Sequence, residues 1–310
     1  MTEASARSSK SRLSLRHREA IAGYAFVLPW LVSLLVFTSY PVLASVYFSF
    51  TEYNVVQPPH WVGLENYVRM FSDASYSIGV KNSAYYALLS VPLRLVFSLA
   101  IAVLLNVEAR SIGVYRTLAY LPSLTPPVAG AMIFLLLFNP GSGLVNTILR
   151  ALGLPAPSWF LSPAWSKPTL IIMSMWGLGS SALIFLAGLK EVPVSLLEAA
   201  HIDGAGSWRR FWSVTIPLIS PVILFNLVMG VIDSFQVFTQ AFIIGGPSGA
   251  PLESTLFYMM VIYRNAFRYF AMGYASALAI VLSGVILIIT AVIFWTSGRW
   301  VYYEGTVRNA

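Results

Sequence analysis

The chain alternates between six long apolar runs and shorter polar segments. Each run is long enough to cross the hydrocarbon core of a bilayer, which takes about 20 helical residues. Backbone polar groups find no water in lipid, so such runs are expected to be helices, and they lack the alternation of a membrane barrel. The predicted fold class is therefore all-α and polytopic, with six transmembrane helices at residues 24–50, 83–107, 117–138, 169–189, 218–244 and 274–297.

The amino-acid composition supports a membrane protein. Apolar residues make up 57% of the 310 positions and charged residues only 10%, whereas a soluble domain carries roughly a quarter charged residues. So few charges cannot cover the surface of a soluble protein of this length. The chain has no cysteine, which excludes disulfides, thiolate metal sites, iron–sulfur clusters and a cysteine nucleophile.

Lysine and arginine are unevenly distributed among the segments that flank the predicted spans, and cytoplasmic segments are usually enriched in them. With the N-terminus inside, the cytoplasmic segments hold Arg7, Lys10, Arg12, Arg16, Arg18, Arg110, Arg116, Lys190, Arg209, Arg210, Arg299 and Arg308. The outer segments hold half as many, namely Arg69, Lys81, Arg150, Lys167, Arg264 and Arg268. We therefore predict cytoplasmic tails at residues 1–23 and 299–310. The first apolar run is too long for the core of a cleaved signal peptide, so the transmembrane domain comprises residues 24–298.

Two ionisable residues lie inside the predicted spans, Arg94 in the second and Asp233 in the fifth. Each would cost about 2.5 to 3.5 kcal/mol at the centre of a lipid-exposed helix, so each is expected to face protein or water. Counted along the helices, they lie roughly 20 and 22 Å from the cytoplasmic ends, at one depth. They could form a structural ion pair, line a translocation path, or occupy unrelated environments.

A polar stripe follows one face of the fifth predicted helix. Asn226, Gly230, Asp233, Val237 and Gln240 are spaced by four, three, four and three residues, which places them on the same side. Small and polar residues commonly mediate helix packing in membranes. A pathway for a polar solute is the alternative interpretation.

The cytoplasmic loop at residues 190–217 is predicted to form a compact knob of two short helices. Ser195 and Glu198 have the spacing of a capping box, which predicts a helix starting near Leu196. Residues 203–206 are expected to break this helix, and Ser207 is expected to cap a second one. A DNA-binding helix-turn-helix would need more than the two basic residues found there, so we expect no nucleic-acid partner.

Motifs for other activities are missing. No G-x-x-x-x-G-K-[ST] phosphate loop occurs, so any ATP must be bound by another chain. The glycines at Gly177 and Gly179 imitate a dinucleotide fingerprint, but they lie inside an apolar run with no preceding strand. The three histidines, His17, His60 and His201, are far apart in the sequence. A membrane enzyme is therefore unsupported.

The 190–217 loop resembles a known family. It contains Glu198-Ala199-Ala200-His201-Ile202-Asp203-Gly204-Ala205 followed by Thr215-Ile216-Pro217-Leu218, which is similar to the signature of inner-membrane permease subunits of binding-protein-dependent ABC importers. Further segments resemble the carbohydrate branch of that family: Gly63–Tyr67, Tyr115–Thr117, Leu121–Pro122, Phe138–Pro140, Gly143–Asn146, Ser234–Gln236, Gly245–Pro247 and Met272–Ala275. These segments span nearly the whole hydrophobic part of the chain.

The resemblance implies that the knob is a coupling loop that docks on a cytoplasmic ATPase subunit. Glu198 and Arg209 would supply polar contacts, Ala199, Ala200 and Gly204 would allow close approach, Phe211 would anchor the second helix, and Asp203 completes the motif. The implied partners are a second homologous permease, two ATPase subunits that carry ATP and magnesium, an extracytoplasmic solute-binding protein and the lipid bilayer. This chain itself would bind no cofactor, and it would lie in the inner membrane of a bacterial or archaeal cell.

The resemblance also places the sugar against the fifth helix, at Gly230, Asp233, Ser234 and Val237. Together with Asn226, Gln240 and Arg94, these are the candidate pathway residues. The leading hypothesis is a permease subunit of an ABC sugar importer that works by alternating access. The alternative is an ion-coupled secondary transporter, in which Asp233 or Arg94 would couple a gradient to solute movement.

The outer loop at residues 245–272 contains an aromatic-rich segment from Leu256 to Phe270. Aromatic rings suit the membrane–water interface, so this segment is expected to lie along the outer surface. Contact with a solute-binding protein is the other interpretation.

Overall fold

The computed structural model describes residues 15–302. The predictions made for Arg7, Lys10, Arg12 and Arg308 lie outside this range. The first helix begins at Leu15, inside the segment predicted as the N-terminal tail. Helix is therefore present before the first predicted span begins.

The secondary structure is helical apart from one pair of two-residue strands. The helices are α1 (Leu15–Ser33), α2 (Tyr40–Ser49), α3 (Glu65–Ser72), α4 (Ala74–Leu105), α5 (Ile112–Tyr120), α6 (Pro127–Leu137), α7 (Leu144–Ala151), α8 (Pro163–Ser174), α9 (Gly179–Glu191), α10 (Val194–Ile202), α11 (Ser207–Arg210), α12 (Ile216–Leu218), α13 (Ser220–Phe235), α14 (Thr239–Gly245), α15 (Tyr258–Tyr263) and α16 (Met272–Ser297). The strands β1 (Thr51–Glu52) and β2 (His60–Trp61) pair antiparallel.

Shorter turns join several of these helices. Helix α1 continues into α2 through a π-helical segment at Leu34–Ser39, and further π-helical segments lie at Phe211–Thr215 and Arg264–Arg268. The 3₁₀ turns are Leu121–Leu124, Trp159–Leu161 and Met175–Gly177. Most of these turns fall at bends of the spans or in the loops.

Four segments of the described chain are each long and apolar enough to cross a membrane: Ile21–Ser49, Ala74–Leu105, Ser220–Gly245 and Met272–Ser297. Two bent helix pairs bring the number to six if each pair is one span. The predicted all-α polytopic fold is confirmed. The second helix is longer than predicted, because its first turns at Ala74 precede the apolar run.

The third predicted span is not one straight helix. Ile112–Leu124 and Pro127–Leu137 meet at 96°, so a continuous helix over 117–138 is wrong. Thr125 and Pro126 have extended backbone, with ψ of 125° and 138°. A residue before proline is driven out of the helical region and proline donates no hydrogen bond, so the pair Pro126-Pro127 forces the break.

The fourth and fifth spans are also interrupted. Pro163–Gly177 and Gly179–Glu191 are bent by 51°, where a continuous helix over 169–189 was predicted. In the fifth span, α13 ends at Phe235 and α14 begins at Thr239. Three of the six spans therefore contain non-helical backbone, which inside a membrane is tolerated where it is buried in protein or lines a water-filled cavity.

Two hydrophobic clusters mark the two ends of the bundle. One surrounds Ala102, Leu105, Phe185 and Leu189 and includes Leu197 of α10, so it lies beside the 190–217 loop. We call this the coupling end. The larger cluster includes Met70, Phe134, Trp159, Phe257 and Tyr274 and forms the distal end.

The loop between α14 and α16 folds into the distal cluster. Leu256, Phe257 and Val261 are at most 1% exposed, so the expectation that this segment lies along the outer surface is wrong for its first half. Two helix residues draw the loop inward. The Asn82 amide donates to the carbonyls of Glu253 and Leu256 at 2.8 and 2.9 Å, and the Ser83 hydroxyl accepts from Tyr258 N–H at 2.9 Å.

Burial has a chemical consequence in this loop. The Tyr258 hydroxyl donates to the carbonyl of Leu278 at 3.0 Å, and desolvation raises the pKa of Tyr258 above its ordinary value. The second half of the loop behaves as expected, because Phe267, Tyr269 and Phe270 are exposed.

Candidate functional site

A cavity of about 660 Å³ lies among the second, third, fourth and fifth spans. Its wall combines charged, amide, hydroxyl and aromatic side chains. They include Tyr86, Arg94, Ser123, Thr125, Phe134, Ser174, Trp176, Ser180, Ser181, Asn226, Asp233, Gln236, Val237 and Gln240. A cavity of this size with an apolar wall and several polar groups is typical of a site for a small solute.

The interrupted spans build one wall of this cavity. The Ser123 hydroxyl donates to the carbonyl of Gly177 at 3.4 Å and accepts from the N–H of Ser180 at 3.1 Å. This residue therefore ties the break of the third span to the bend of the fourth. Gly179 permits the close approach, because a Cβ there would lie 2.8 Å from both the Ser123 hydroxyl and Tyr120 Cα.

Arg94 and Asp233 both line the cavity, so the prediction of a shared depth agrees with their placement. They form no ion pair within 4.0 Å, both residues lying in the described range. Arg94 Nε is buried without a hydrogen-bond partner in this part of the structure, whereas Asp233 is exposed to the cavity. Both charged groups are thus free to contact a solute.

The polar stripe of the fifth span is divided between two helices but still faces one space. Asn226, Asp233, Val237 and Gln240 line the main cavity. Val237 lies in the break between α13 and α14, so the seven-residue periodicity carries across a non-helical turn. Gly230 lines a small adjoining recess of about 30 Å³ together with Arg94 and Asp233.

Ser234 is placed differently from the other candidate pathway residues. It is 1% exposed, and its hydroxyl donates to the carbonyl of Val231 at 2.8 Å within α13. Among the described residues it is not part of the cavity wall. Its neighbour Gln236, which the sequence reasoning did not select, is exposed to the cavity instead.

The four aromatic residues of the cavity, Tyr86, Phe134, Trp176 and Phe225, were also missed from the sequence. Trp176 is 45% exposed and packs edge-on against Phe134, with ring centroids 5.9 Å apart, while Tyr86 is buried in the wall. An exposed tryptophan inside a bundle offers a flat apolar face to a ligand. In the sequence, only the position of Trp176 next to Gly177, at the bend of the fourth span, could have indicated that this residue lines the cavity.

The 190–217 loop forms two short helices at the coupling end. Helix α10 starts at Val194 after Pro193 and carries no side-chain cap, so the predicted capping box at Ser195 and Glu198 is wrong. The extended Pro193 starts the helix earlier, which leaves Ser195 inside the first turn. Similarly, Gly206 occupies the position predicted for Ser207 before α11.

Gly204 creates the turn between α10 and α11. Its φ is +81°, a left-handed conformation that glycine adopts without steric cost. The N–H of Ala205 bonds the carbonyl of Ala200 at 2.9 Å and the N–H of Gly204 bonds that of His201 at 3.0 Å. These two bonds form a Schellman motif, so the predicted break after α10 is present and has a defined geometry.

The predicted coupling residues lie on the surface of this loop. Glu198, Ala199, Asp203, Gly204 and Arg209 are exposed, and Ala200 and Phe211 are partly buried. Two large apolar side chains that the sequence reasoning left out lie beside them, because Ile202 is 85% and Trp208 75% exposed. Such exposure next to charged groups is typical of a protein–protein contact surface.

Comparison with known proteins places these features in a family. Residues 85–300 match the family described as "Binding-protein-dependent transport system inner membrane component". The chain is 44% identical to the "Probable ABC transporter permease protein YesP" of Bacillus subtilis (strain 168), covering 98% of this chain and 99% of that protein. It is 32% identical to the "Trehalose/maltose transport system permease protein MalF" of Thermococcus litoralis, over 92% and 96% of the two chains.

A solved structure has the same fold. A chain of a bacterial alginate ABC transporter, crystallised in complex with an alginate pentasaccharide-bound periplasmic protein, superposes with a TM-score of 0.82. It is 24% identical, and the match covers 93% of this chain and 98% of that chain. The family resemblance drawn from the Glu198–Ala205 motif is confirmed, as is a multi-pass location in the inner membrane. Membership favours the permease hypothesis over a self-sufficient secondary transporter: the chain belongs to the inner-membrane permease components of binding-protein-dependent ABC transport systems.

Proposed function

We propose that this chain is the permease subunit of an importer for a carbohydrate or a sugar phosphate, and that the solute passes through the cavity around Asp233. The observation that carries the proposal is the polar cavity between the second and fifth spans. Relatives named for trehalose and maltose, for lactose and for glycerol 3-phosphate support this solute class.

The cavity offers the groups that sugar recognition requires. Hydroxyl groups of a sugar both donate and accept hydrogen bonds; the Asn226, Gln236 and Gln240 amides can do the same, and the Asp233 carboxylate can accept. Trp176 adds a flat apolar surface for the C–H face of a sugar ring. The guanidinium of Arg94, which also lines the cavity, would donate hydrogen bonds to a phosphate or carboxylate substituent.

Transport would require further subunits. A second permease would close the open side of the cavity, two ATPase subunits carrying ATP and magnesium would drive closure, and a solute-binding protein would deliver the cargo. Glu198, Asp203 and Arg209 would bind the ATPase through polar contacts, and Phe211 would anchor the second helix. The exposed side chains of Ile202 and Trp208 would add apolar area.

The proposed orientation places both termini and the coupling end in the cytoplasm. This orientation rests on the excess of lysine and arginine in the segments assigned to that side. Solute would then enter at the distal end and leave at the coupling end, by alternating access of the two permeases.

Uptake into proteoliposomes tests this function. The full complex, purified with its partner subunits, is supplied with ATP inside the vesicles and with binding protein and labelled oligosaccharides outside. We expect ATP-dependent uptake, which Asp233→Asn should reduce about tenfold, because hydrogen bonds to a charged group contribute about 1.5 to 3 kcal/mol.

Glu52→Gln is the matched control for Asp233→Asn. Glu52 is an exposed carboxylate in β1, away from the cavity. Its variant should transport at the wild-type rate. Uptake that follows an ion gradient and ignores ATP would contradict the proposal, and so would equal effects of the two substitutions.

A further inference from the structure

Helix α3 at the distal end has a buried face and an exposed apolar stripe. On one face Asn66 and Met70 are buried, at 8% and 3% exposure. On the other, Leu64, Val68 and Phe71 follow the three- and four-residue spacing of a helical stripe and are 63%, 66% and 87% exposed. Large exposed apolar groups in a row mark a contact surface, so this stripe is expected to contact another molecule.

The depth of α3 in the membrane follows from its contacts. Asp73 alone separates α3 from the spanning helix α4, and its carboxylate accepts a hydrogen bond from the Tyr274 hydroxyl at 2.8 Å. The Arg69 guanidinium lies 4.3 Å from the centre of the Tyr274 ring. Tyr274 is the third residue of the spanning helix α16. Helix α3 therefore lies level with the first turn of α16, where the apolar run of the last span begins.

A polar pocket of about 280 Å³ opens beside α3 at this depth. Arg69, Ser72 and Ser75 line one side, and Arg264 and Tyr269 line the other. Arg264 is only 8% exposed, yet its Nε has no hydrogen-bond partner in the described part of the chain. Because Arg264 lines the pocket, its guanidinium is a candidate donor to an anion.

The charged side chains around this pocket are compatible with binding of an anion. Arg69 and Arg264 are the cations in its wall and Asp73 is the anion. Both carboxylate oxygens of Asp73 already accept hydrogen bonds, one from Ser75 N–H at 2.8 Å and the other from Tyr274. Glu253, on the far side of Arg264, approaches Nη1 at 3.4 Å and does not reach Nε.

We propose that this pocket binds the anionic headgroup of a phospholipid, whose acyl chains lie along the exposed stripe of Leu64, Val68 and Phe71. A phospholipid is the one ligand that joins a phosphate to long apolar chains at the membrane interface. The pocket and the stripe adjoin on α3, because Arg69 and Ser72 line the pocket while Val68 and Phe71 lie next to them in the sequence. An amphipathic helix of this kind lies in the interface plane.

Native mass spectrometry of the purified full chain in detergent tests the headgroup site. Dioleoyl phosphatidylglycerol should remain bound at lower concentration than dioleoyl phosphatidylcholine. Arg69→Gln should weaken this preference about fivefold, the effect of one basic residue near an anionic lipid surface. Arg69 is exposed, so its removal is compatible with folding, and Arg264→Lys provides a second variant that keeps the charge opposite Glu253.

Arg268→Gln is the matched control, because Arg268 is exposed, lies four residues from Arg264 and is outside the pocket wall. It should keep the wild-type lipid preference. Equal loss in the Arg268 and Arg69 variants would overturn the proposal. Displacement of the lipid by millimolar inorganic phosphate would also overturn it, because the pocket would then be a site for a soluble anion.

A second measurement tests the acyl-chain stripe. The chain has no cysteine, so Phe71→Cys, Val68→Cys and Glu65→Cys each provide a single site for a nitroxide label in nanodiscs. Labels at positions 71 and 68 should be accessible to oxygen and protected from a water-soluble nickel reagent, whereas position 65 should show the reverse. Water-accessible labels at 68 and 71 would overturn the proposal and assign the stripe to a soluble partner protein.

Discussion

Arg94 of α4 and Asp233 of α13 face one cavity without forming an ion pair within 4.0 Å. Two opposite charges in a membrane bundle usually pair with each other. Here the Arg94 Nε is buried without a partner and Asp233 is exposed to the cavity. Their separation does not support a direct structural ion pair, and their placement in one cavity wall is the basis for the proposed pathway role.

A double-mutant cycle tests this separation. Asp233→Asn, Arg94→Gln and the double variant should show a smaller coupling energy in the thermal stability of the purified chain than a pair in direct contact does. The pair Arg264 and Glu253, 3.4 Å apart, is the control, and its cycle should show coupling. Coupling at Arg94 and Asp233 as large as in the control would support the structural ion pair.

Glu198→Lys should release the ATPase subunits while the permease stays folded. Glu198 is exposed on α10, so the substitution disturbs no internal contact, whereas reversing a charge in an interface costs several kcal/mol. Co-purification of the ATPase with the tagged permease measures the loss. Glu52→Lys, at the distal end, should retain the ATPase, and unchanged retention in the Glu198 variant would contradict the docking role.

Gly204→Ala should weaken ATPase binding by changing the turn between α10 and α11. The φ of +81° at Gly204 costs a side-chain-bearing residue about 1 to 2 kcal/mol, so the turn between α10 and α11 would rearrange. Gly206→Ala is the matched control, since its φ is −65° and a Cβ there meets nothing within 4 Å. Limited proteolysis of the loop should be faster for the first variant only.

Gly179→Ala should destabilise the bundle, whereas Gly177→Ala should be tolerated. A Cβ at Gly179 would collide with the carbonyl of Ala119 and lie 2.8 Å from the Ser123 hydroxyl, whereas a Cβ at Gly177 meets nothing within 4 Å. Overpacking of this kind costs about 1 to 3 kcal/mol. Thermal unfolding in detergent measures both variants, and a smaller effect at position 179 than at 177 would refute the close contact of the third and fourth spans.

Some features could be predicted from local sequence because a local physical requirement decides them. The thickness of the hydrocarbon core and the need to satisfy backbone hydrogen bonds within a segment set the number and order of the spans. The break after α10 follows from Gly204, the residue that tolerates the left-handed turn. Pro126 and Pro127 indicate the bend in the third span. A continuous helix was nevertheless predicted there, because the apolar run is long enough to cross the membrane.

Other features depend on residues that are distant in the chain. Asn82 draws the distal loop inward by bonding Leu256, 174 positions away, and no local pattern around Leu256 predicts its burial. Gln236 and Trp176 line the cavity, whereas Ser234 is buried in the protein interior. The bends of three spans determine which side of the bundle each of these residues faces. The sequence by itself determined an all-α polytopic membrane protein, since membrane thickness and backbone chemistry act locally, and its Glu198–Ala205 motif indicated the permease family. Only the tertiary structure decided which charges stay unpaired and which side chains share the cavity, since both depend on how the bent spans pack against one another.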